Sequence, residues 1–561
     1  MGSSLLPTLR SIVGSQHVLT GSRSTRQYRK GFRYGNGNVL AVARPGSLLE
    51  QWRVLQACVQ ANVIIILQAA NTGITGGSTP FGDDYDRPIV IVNLMRIRRV
   101  DLIKSGQQVI ALPGATLDAL EKTLRKIGRE PHSVIGSSCI GATVVGGVCN
   151  NSGGSLIQRG PAYTELALYA QVDGSGTLQL INHLGIELGD EPEEILQRLD
   201  EQNYSEGNIL SDNQKRASDH EYCEHVRQID ANTPARFNAD SRNLFEASGS
   251  AGKIAVFALR LDTFPADRDV KVFYIGTNSA AELQTIRRHI LTEFSNLPVA
   301  GEYLHRNGYS LTRKYGKDTF LLVKKLGTDV VPTAFRVKSW IDGITEKCGL
   351  GANLTDRVIQ LVMDVLPNHL PRRMNQFFKE YEHHLMLKMS GAGVSEARHY
   401  LDSMYPSDNG NFFECSTEEA EDAFLHRFAF GSAAGRYKAV HPNKVEEVLA
   451  LDVALRRNEL DWLPTLPKEI AQKLHYQSIC GHFFCHVLHQ EYLVKKGEDV
   501  EQLKTELLAL LDQRQAEYPA EHNVGHIYKA KKSLREFYKQ LDPTNTFNPG
   551  IGKTSKNFYW K

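Results

Sequence analysis

Short apolar runs alternate with amphipathic patterns through the first 170 residues of the chain. The runs with the length and composition of buried strands are residues 39–43, 63–67, 89–92 and 109–112. Apolar residues recur at helical spacing over 48–59 and 116–127. The first predicted helix opens with Ser47 and Glu50, which have the spacing of a capping box, and the second stops at Gly128. This alternation predicts an α/β domain.

The pattern changes along the rest of the chain. Residues 186–247 are polar and rich in Asp, Glu and Asn, which indicates an insertion or a long surface excursion. From about residue 262 onward helix-like patterns dominate, and turn chemistry returns at 542–550. Because 561 residues exceed what one hydrophobic core usually serves, we expect two or three domains.

The composition is that of a soluble globular protein. Hydrophobic residues make up 41% of the chain, and 65 Lys and Arg nearly balance 63 Asp and Glu, so we expect no nucleic-acid partner. The longest apolar run has six residues, far fewer than the roughly 20 that span a bilayer, and no signal peptide is evident. The eight cysteines include no CxxC pair, which favours a reducing cytoplasmic location.

Two glycine-rich segments are candidates for holding an anionic ligand. Residues 68–80 directly follow a predicted buried strand, and residues 135–154 include six glycines. Small residues let backbone amides approach a phosphate closely, and Ser and Thr hydroxyls add donors. The first segment is neither a GxGxxG nor a Walker A loop, so taken alone it is better interpreted as a plain tight turn. Together the two segments could line opposite sides of a long ligand.

Imidazole and carboxylate groups concentrate towards the C-terminus. His482, His486 and His489 lie close together, and Glu521 and His522 follow downstream. Zinc and other divalent ions accept these ligand types. The seven-residue spacing of His482 and His489 puts them on one face of a helix but on opposite faces of a strand. A metal site and a buried polar cluster without metal therefore both stay open.

Three further motifs accompany the glycine-rich segments, namely Pro113-Gly114, residues 250–256, and residues 542–550 with the pattern DP…NPG. Together they resemble the vanillyl-alcohol oxidase family of flavoproteins. The resemblance implies an α+β fold with a PCMH-type FAD-binding domain, a substrate cap domain and a basic membrane-binding segment. It also implies non-covalent FAD, because Gly76, Gly77 and Ser78 replace the His that members with covalent flavin often carry. The residues that the resemblance assigns to the cofactor are Ala69, Ala70, Asn71, Thr72, Gly73, Gly77, Ser78, Gly136, Thr143, Gly153 and Val256.

The histidine pair and the Glu-His that follows it resemble the D-2-hydroxyacid dehydrogenases of that family. The resemblance assigns a divalent metal to His482, His489 and Glu521, and the catalytic base to His522. The sequence departs from the family pattern at 483–487, where the family has Gly-Asp-Gly-Asn, and at Asn523, where it has Gly. These departures weaken the prediction of a metal site more than the prediction of His522 as the base.

Two cations align with residues that hold the substrate carboxylate in those relatives. They are Arg427 and Lys438, and Arg436 is an alternative for either. An Arg binds a carboxylate through two parallel hydrogen bonds, and a Lys adds a point charge. From the residues alone, two solvated surface cations are an equally good interpretation.

Across nearly its whole length the chain is most similar to the quinone-dependent, membrane-associated respiratory D-lactate dehydrogenases of bacteria. This resemblance implies oxidation of D-lactate to pyruvate, with hydride transfer to flavin N5 and electrons passed to membrane quinone. It implies a peripheral protein on the cytoplasmic face of the inner membrane. The predicted domains are an FAD-binding domain over 1–261 completed by 513–561, a cap over 262–310 and 389–512, and a membrane-binding segment over 311–388.

The segment 311–388 is locally basic. It holds thirteen Lys and Arg residues, which include Arg372, Arg373 and Lys379, against eight Asp and Glu residues. Basic residues beside apolar ones can hold a protein on an anionic membrane surface, which the resemblance favours over an ordinary solvated surface.

Three other functions stay open on the sequence. A soluble D-2-hydroxyacid dehydrogenase with another electron acceptor would share the site but would not bind membranes or reduce quinone. A metal-dependent hydrolase built on His482, His489 and Glu521 would carry no flavin. A flavin-binding regulatory protein would keep its flavin oxidised with every 2-hydroxyacid.

Overall fold

The first sheet belongs to the N-terminal part of the chain. The computed structural model describes residues 2–133, 140–210, 214–347 and 353–561. The sheet has the order β1–β2–β4–β3, with bounds β1 (Val18–Leu19), β2 (Ala41–Ala43), β3 (Ile64–Gln68) and β4 (Ile89–Asn93). β2, β4 and β3 are parallel, and α3 (Leu48–Gln60) connects β2 to β3. The helices before α3 are α1 (Gly2–Val13) and α2 (Ser22–Arg29).

The predicted strands and helices of this region are confirmed, with ends shifted by one or two residues. The Ser47 hydroxyl accepts a hydrogen bond from the backbone N–H of Glu50, as a helix N-cap does. The Glu50 carboxylate accepts a hydrogen bond from the backbone N–H of Gly46 and not from that of Ser47. The second half of the capping box is therefore displaced by one residue. In β3, Ile65 packs into one cluster and Ile64 and Ile66 into another, because both faces of a parallel sheet are covered.

The second sheet is antiparallel and follows in sequence. Its order is β5–β6–β10–β8–β9, and β7 also pairs with β10. The bounds are β5 (Val100–Ile103), β6 (Gln108–Ala111), β7 (Arg129–Pro131), β8 (Ala167–Val172), β9 (Leu178–Asn182) and β10 (Ala255–Pro265). The helices that lie in this part of the chain are α4 (Leu117–Arg125), α5 (Val144–Cys149), α6 (Pro192–Asp200) and α7 (Tyr222–Arg227).

The polar segment 186–247 is not only a surface excursion. Leu196 and Leu199 of α6 are buried in the cluster beneath the first sheet, and Tyr222 and Val226 of α7 are buried among residues of the C-terminal part. The segment therefore packs into both parts of the molecule.

The second half of the chain contains a third sheet, in a region where the sequence predicted mainly helices. Its order is β14–β11–β13–β12–β16–β17–β15, and its described pairs are antiparallel. The bounds are β11 (Lys271–Thr277), β12 (Ala300–His305), β13 (His383–Met389), β14 (Gly410–Glu414), β15 (Val445–Ala454), β16 (Leu474–His482) and β17 (Val487–Lys495). Helices do dominate this half, but the sequence did not predict its strands, because β15, β16 and β17 carry polar residues on the face that lines a cavity, which interrupts their apolar runs.

Helices cover both faces of this sheet. Phe273 and Ile275 of β11 pack with α8 (Ala280–Glu293) and α14 (Gly393–Met404), whereas Val272 and Tyr274 face the opposite cluster. The remaining helices are α9 (Arg306–Tyr315), α10 (Lys317–Leu326), α11 (Val331–Lys347), α12 (Leu354–Val365), α13 (Arg372–Glu380), α15 (Thr417–Val440), α16 (Lys468–Ala471), α17 (Val500–Gln513) and α18 (Lys532–Leu541).

The C-terminal residues return to the first sheet. The backbone N–H of Asn548 donates to the carbonyl of Ile65, and the N–H of Ile65 donates to Thr546. The buried Lys253 ammonium donates to Asn545 Oδ1 at 2.8 Å and to the carbonyl of Phe547 at 3.0 Å. The tail thus closes over the glycine-rich side of the N-terminal part. The borders between the predicted domains stay a prediction.

Candidate active site

One large cavity lies between the glycine-rich segments and the third sheet. Its volume is about 690 Å³, and most of its surface is apolar. The predicted cofactor residues that line it are Ala69, Ala70, Asn71, Thr72, Gly73, Gly77, Ser78, Thr143, Gly153 and Val256. Gly136 lies outside the described residues. The structure therefore brings both glycine-rich segments to one cavity, as expected for opposite sides of a long ligand.

The glycines of these segments allow close approach of chain and ligand. A Cβ atom on Gly153 would overlap the Glu521 side chain, and one on Gly77 would overlap Asn523. A Cβ on Gly73 would meet no protein atom within 4 Å, so the cavity beside it has room for a cofactor. Asn548 donates to the carbonyl of Gly77 at 2.8 Å, which fixes the first loop to the tail. This geometry fits an elongated cofactor with phosphates, such as FAD.

A buried ion-pair network forms the inner wall of the cavity. Glu302 of β12 pairs with Arg427 Nε of α15 at 3.0 Å and with His482 Nδ1 of β16 at 2.6 Å. His482 Nε2 lies 3.1 Å from Glu521 Oε2, and Glu521 Oε1 pairs with the fully buried Arg236. The network joins strands and loops that are far apart in sequence.

The charges of this network are mutually stabilised. Burial would lower the pKa of His482, but the carboxylates of Glu302 and Glu521 outweigh burial and raise that pKa to about 10. Burial would raise the pKa of Glu521, but Arg236 and His482 outweigh it and hold that pKa well below its usual range. His482 is therefore a cation and Glu521 an anion at neutral pH.

His522 faces the cavity beside a second buried carboxylate. Its Nε2 lies 3.7 Å from Asp452 Oδ2, and His489 Nδ1 lies 3.2 Å from Asp452 Oδ1. The backbone N–H of Glu521 donates to Asp452 at 2.6 Å, which fixes the carboxylate. The His522 side chain is 37% exposed, against 12% for His482. Of these two imidazoles, His522 is the one open to a substrate.

The predicted metal ligands lie together, but their other partners compete with a metal. Donor atoms of His482, His489 and Glu521 lie within 4.8 Å of one another, as do those of Asp452, His489 and His522. Both ring nitrogens of His482 already face carboxylates, whereas a metal would need one of them deprotonated and free. The fit for a metal is therefore weaker than the fit for FAD.

Lys438 does not reach the cavity. Its ammonium pairs with Glu447 at 2.6 Å, and Arg436 pairs with Asp318 and Asp356 at 2.6 and 2.8 Å. Arg427 lines the cavity, but Lys438 follows it by eleven residues on α15, which is about 16 Å along a helix. That separation is too long for both cations to hold one small carboxylate.

The sequence analysis missed three charged residues of the site. Glu302 and Asp452 are buried in the apolar strands β12 and β15, and Arg236 is buried in the polar segment before β10. An acidic residue within an apolar run is unusual and could have identified Glu302 in β12 and Asp452 in the second half of β15. Nothing in the local sequence distinguishes Arg236.

Helices α11 and α12 form an apolar outer surface of the molecule. On α12, apolar residues three or four positions apart face outward. Leu361 and Val365, for example, are 69% and 82% exposed. The exposed apolar residues of the two helices, here called the α11–α12 surface, are Val337, Ile341, Ile344, Val358, Leu361, Val362 and Val365. No described helix is long and apolar enough to cross a membrane. Seven exposed apolar side chains on two helices in contact make this surface a candidate interaction site.

Several cations of the basic segment are paired within the protein. Lys324 lies 2.8 Å from Asp422, Lys338 lies 2.7 Å from Asp356, and Arg373 pairs with Glu419. Other cations of this segment are exposed. They include Lys325 on α10, Arg357 on α12, and Arg372 and Lys379 on α13.

Known proteins share the N-terminal part and the fold. Residues 39–181 match the FAD binding domain family. A p-cresol methylhydroxylase structure with substrate bound is 12% identical, with a TM-score of 0.58 over 98% of this chain and 96% of that one. An alkyldihydroxyacetonephosphate synthase has a TM-score of 0.57 over 98% of this chain and 85% of its own. The fold and the cavity define an FAD-binding flavoprotein with the vanillyl-alcohol oxidase fold, which confirms the predicted fold class.

Sequence relatives narrow the class. The family of D-lactate dehydrogenase, membrane binding, matches residues 272–560. Quinone-dependent D-lactate dehydrogenases from Haemophilus influenzae and Escherichia coli are each 56% identical, over 99% of this chain and 99% and 97% of theirs. The relative from Corynebacterium glutamicum is 47% identical over 99% of this chain. The chain belongs to the quinone-dependent D-lactate dehydrogenase family.

Proposed function

We propose that this protein oxidises D-lactate to pyruvate and passes the electrons to membrane quinone. The observation that carries the proposal is the meeting of Arg427 and His522 in the cavity that the FAD-binding segments line. The 56% identity to quinone-dependent D-lactate dehydrogenases supports the substrate and the acceptor. No finding favours a soluble enzyme with another acceptor.

FAD is held by the residues that line the glycine-rich side of the cavity. Backbone amides of residues 69–78 and the segments around Thr143, Gly153 and Val256 would surround it. When bound, FAD supplies the acceptor for the hydride on C2 of the substrate. We propose a non-covalent complex, because the cavity-lining residues of this loop include no His, Cys or Tyr.

Arg427 holds the carboxylate of the substrate. Its Nε is engaged by Glu302, which leaves the two terminal nitrogens for a planar carboxylate. Glu302 is itself paired with His482, so the ion pair holds the guanidinium beside this wall of the cavity. A fixed cation in a mostly apolar cavity binds and orients a small anion.

His522 takes the hydroxyl proton of the substrate. Imidazole accepts protons near neutral pH, and this ring is accessible from the cavity. Asp452 Oδ2 lies 3.7 Å from His522 Nε2, and a carboxylate at this position stabilises the imidazolium that forms. Loss of this proton makes transfer of the C2 hydride favourable.

A divalent metal is a separate and finer proposal. His482, His489 and Glu521 would hold it, and it would polarise the substrate hydroxyl. Its binding would require His482 to leave Glu302 or Glu521. Metal analysis of the purified protein tests this proposal directly.

We propose that the α11–α12 surface enters the outer part of the bilayer on the cytoplasmic face of the inner membrane. The surrounding exposed cations would contact anionic headgroups. Each buried apolar side chain contributes about 1.5–3 kcal/mol, which exceeds about 1 kcal/mol for a cation near the surface. Apolar contacts therefore provide most of the binding, and the cations add to it.

Replacing two residues of this surface tests the membrane proposal. We expect Leu361→Ser with Val365→Ser to weaken vesicle binding by about 10²-fold, since about 3 kcal/mol of apolar burial is lost. D-lactate oxidation with a soluble dye should be unchanged. Leu460→Ser is the control, because Leu460 is 64% exposed but lies elsewhere. Equal vesicle binding by the double variant and the control would show that the membrane site is elsewhere.

The full reaction is tested by its stoichiometry. Purified protein in vesicles with a lipid-soluble quinone should form one quinol for each pyruvate from D-lactate. L-lactate serves as the stereochemical control. Pyruvate formation without quinol would reject quinone as the acceptor, and no pyruvate at all would reject the substrate.

A further inference from the structure

The cavity extends beyond the region that FAD and lactate need. Its outer part is lined by Thr319 of α10, Val331 of α11, and Phe424, Phe428 and Gly431 of α15. These residues come from the helices of the predicted membrane-binding segment and from the helix that carries Arg427. The wall they form is mainly apolar and aromatic.

This outer part lies next to the α11–α12 surface. Val331 lines the cavity at the start of α11, and Val337, six residues later, is exposed on that surface. Six residues of a helix span about 9 Å. The apolar outer surface and the apolar end of the cavity are therefore connected by less than two turns of one helix.

Polar side chains also line the cavity. The hydroxyls of Thr319 and Ser432 are 3.0 Å apart, and both residues line the cavity. Glu491 of β17 is buried, lines the cavity, and has one carboxyl oxygen without a hydrogen-bond partner among the described residues. An unpaired buried oxygen costs free energy unless a ligand satisfies it.

We propose that this outer part of the cavity is the binding site of the quinone ring, entered between α10, α11 and α15 from the membrane side. The inference rests on the proposed function, and it adds the location of the acceptor. The aromatic walls at Phe424 and Phe428 suit a flat ring with an apolar tail. The hydroxyl of Thr319 can donate to a carbonyl oxygen of the quinone, and the free carboxyl oxygen of Glu491 can accept from a hydroxyl of the quinol. Lactate and quinone exchange two electrons and two protons, and pyruvate and quinol are the balanced products.

Two glycines of α15 provide a matched test. A Cβ atom on Gly431 or on Gly435 would meet no atom within 4 Å, and both residues are exposed, so both accept a larger side chain. Gly431 lines the cavity, whereas Gly435 does not. Gly431→Phe therefore narrows the entrance, and Gly435→Phe is its control.

We expect Gly431→Phe to weaken binding of a decyl-substituted benzoquinone to the oxidised protein by about 10-fold or more, because overfilling a site costs about 1–3 kcal/mol. Equilibrium dialysis without lactate measures this binding independently of turnover. Reoxidation of the lactate-reduced protein by the same quinone should slow to a similar extent. Reduction by D-lactate should keep its rate, and Gly435→Phe should change neither.

The outcomes separate this inference from the proposed function. Unchanged quinone binding in Gly431→Phe would overturn the site. Slower reduction by D-lactate with normal quinone binding would also overturn it, because the entrance would then serve lactate. Wild-type protein that D-lactate does not reduce would instead reject the proposed function.

Discussion

His522→Gln is expected to slow reduction of the flavin by D-lactate by about 10²-fold or more, the usual scale for loss of a general base. The amide keeps much of the size and polarity of the ring but cannot take the hydroxyl proton. FAD content should be unchanged, because His522 lies at the substrate side of the cavity. Stopped-flow absorbance under anaerobic conditions measures the rate.

His220→Gln is the matched control for this variant. His220 also faces a carboxylate, Asp262, at 3.2 Å, but it does not line the cavity. We expect a normal rate in that variant. A normal rate in His522→Gln as well would remove His522 from the mechanism.

Arg427→Gln is expected to lower kcat/KM for D-lactate by about 10²–10³-fold. Loss of a buried charged partner of a carboxylate costs about 2–5 kcal/mol, and the effect should appear mainly in KM. Steady-state assays with a soluble dye measure both constants. Lys438→Gln on the same helix should leave both nearly unchanged, since Lys438 pairs with Glu447 outside the cavity.

The Arg427 variant also leaves Glu302 without its guanidinium. Glu302 then keeps only His482 as a charged partner, and loss of one partner from a buried ion pair can cost about 3–5 kcal/mol of stability, so unfolding is one cause of lost activity. The double variant Glu302→Gln with Arg427→Gln removes both charges and should regain thermal stability, because His482 keeps its other carboxylate partner, Glu521. Activity should stay low in the double variant. Activity that returns with stability would mean that Arg427 is structural and does not bind the substrate.

The cofactor side could be predicted from the sequence because its signals are local. The loop after β3 and the segment around Thr143 each combine a strand or helix boundary with clustered small residues, and both line the cavity. Short-range patterns of this kind determine loop shape directly. The closing motif at 542–550 added the tail that fixes Gly77 through Asn548.

The cap side could be predicted only in part because its site is assembled from distant strands. Glu302 and Asp452 come together through the pairing of β12, β16, β17 and β15, and sequence spacing does not encode that pairing. Glu521 joins them from a loop, through the hydrogen bond of its backbone N–H to Asp452. His482 and His489 lie on neighbouring strands of one hairpin, which neither a single strand nor a single helix would predict. Hairpin pairing therefore resolves the open question about their spacing.

The most direct test of the proposed function is anaerobic mixing of the purified protein with D-lactate and, separately, with L-lactate. Oxidised flavin absorbs near roughly 450 nm, so its reduction is visible without any acceptor. We predict rapid bleaching by D-lactate and none by L-lactate. A flavin band that D-lactate leaves unchanged would contradict the account.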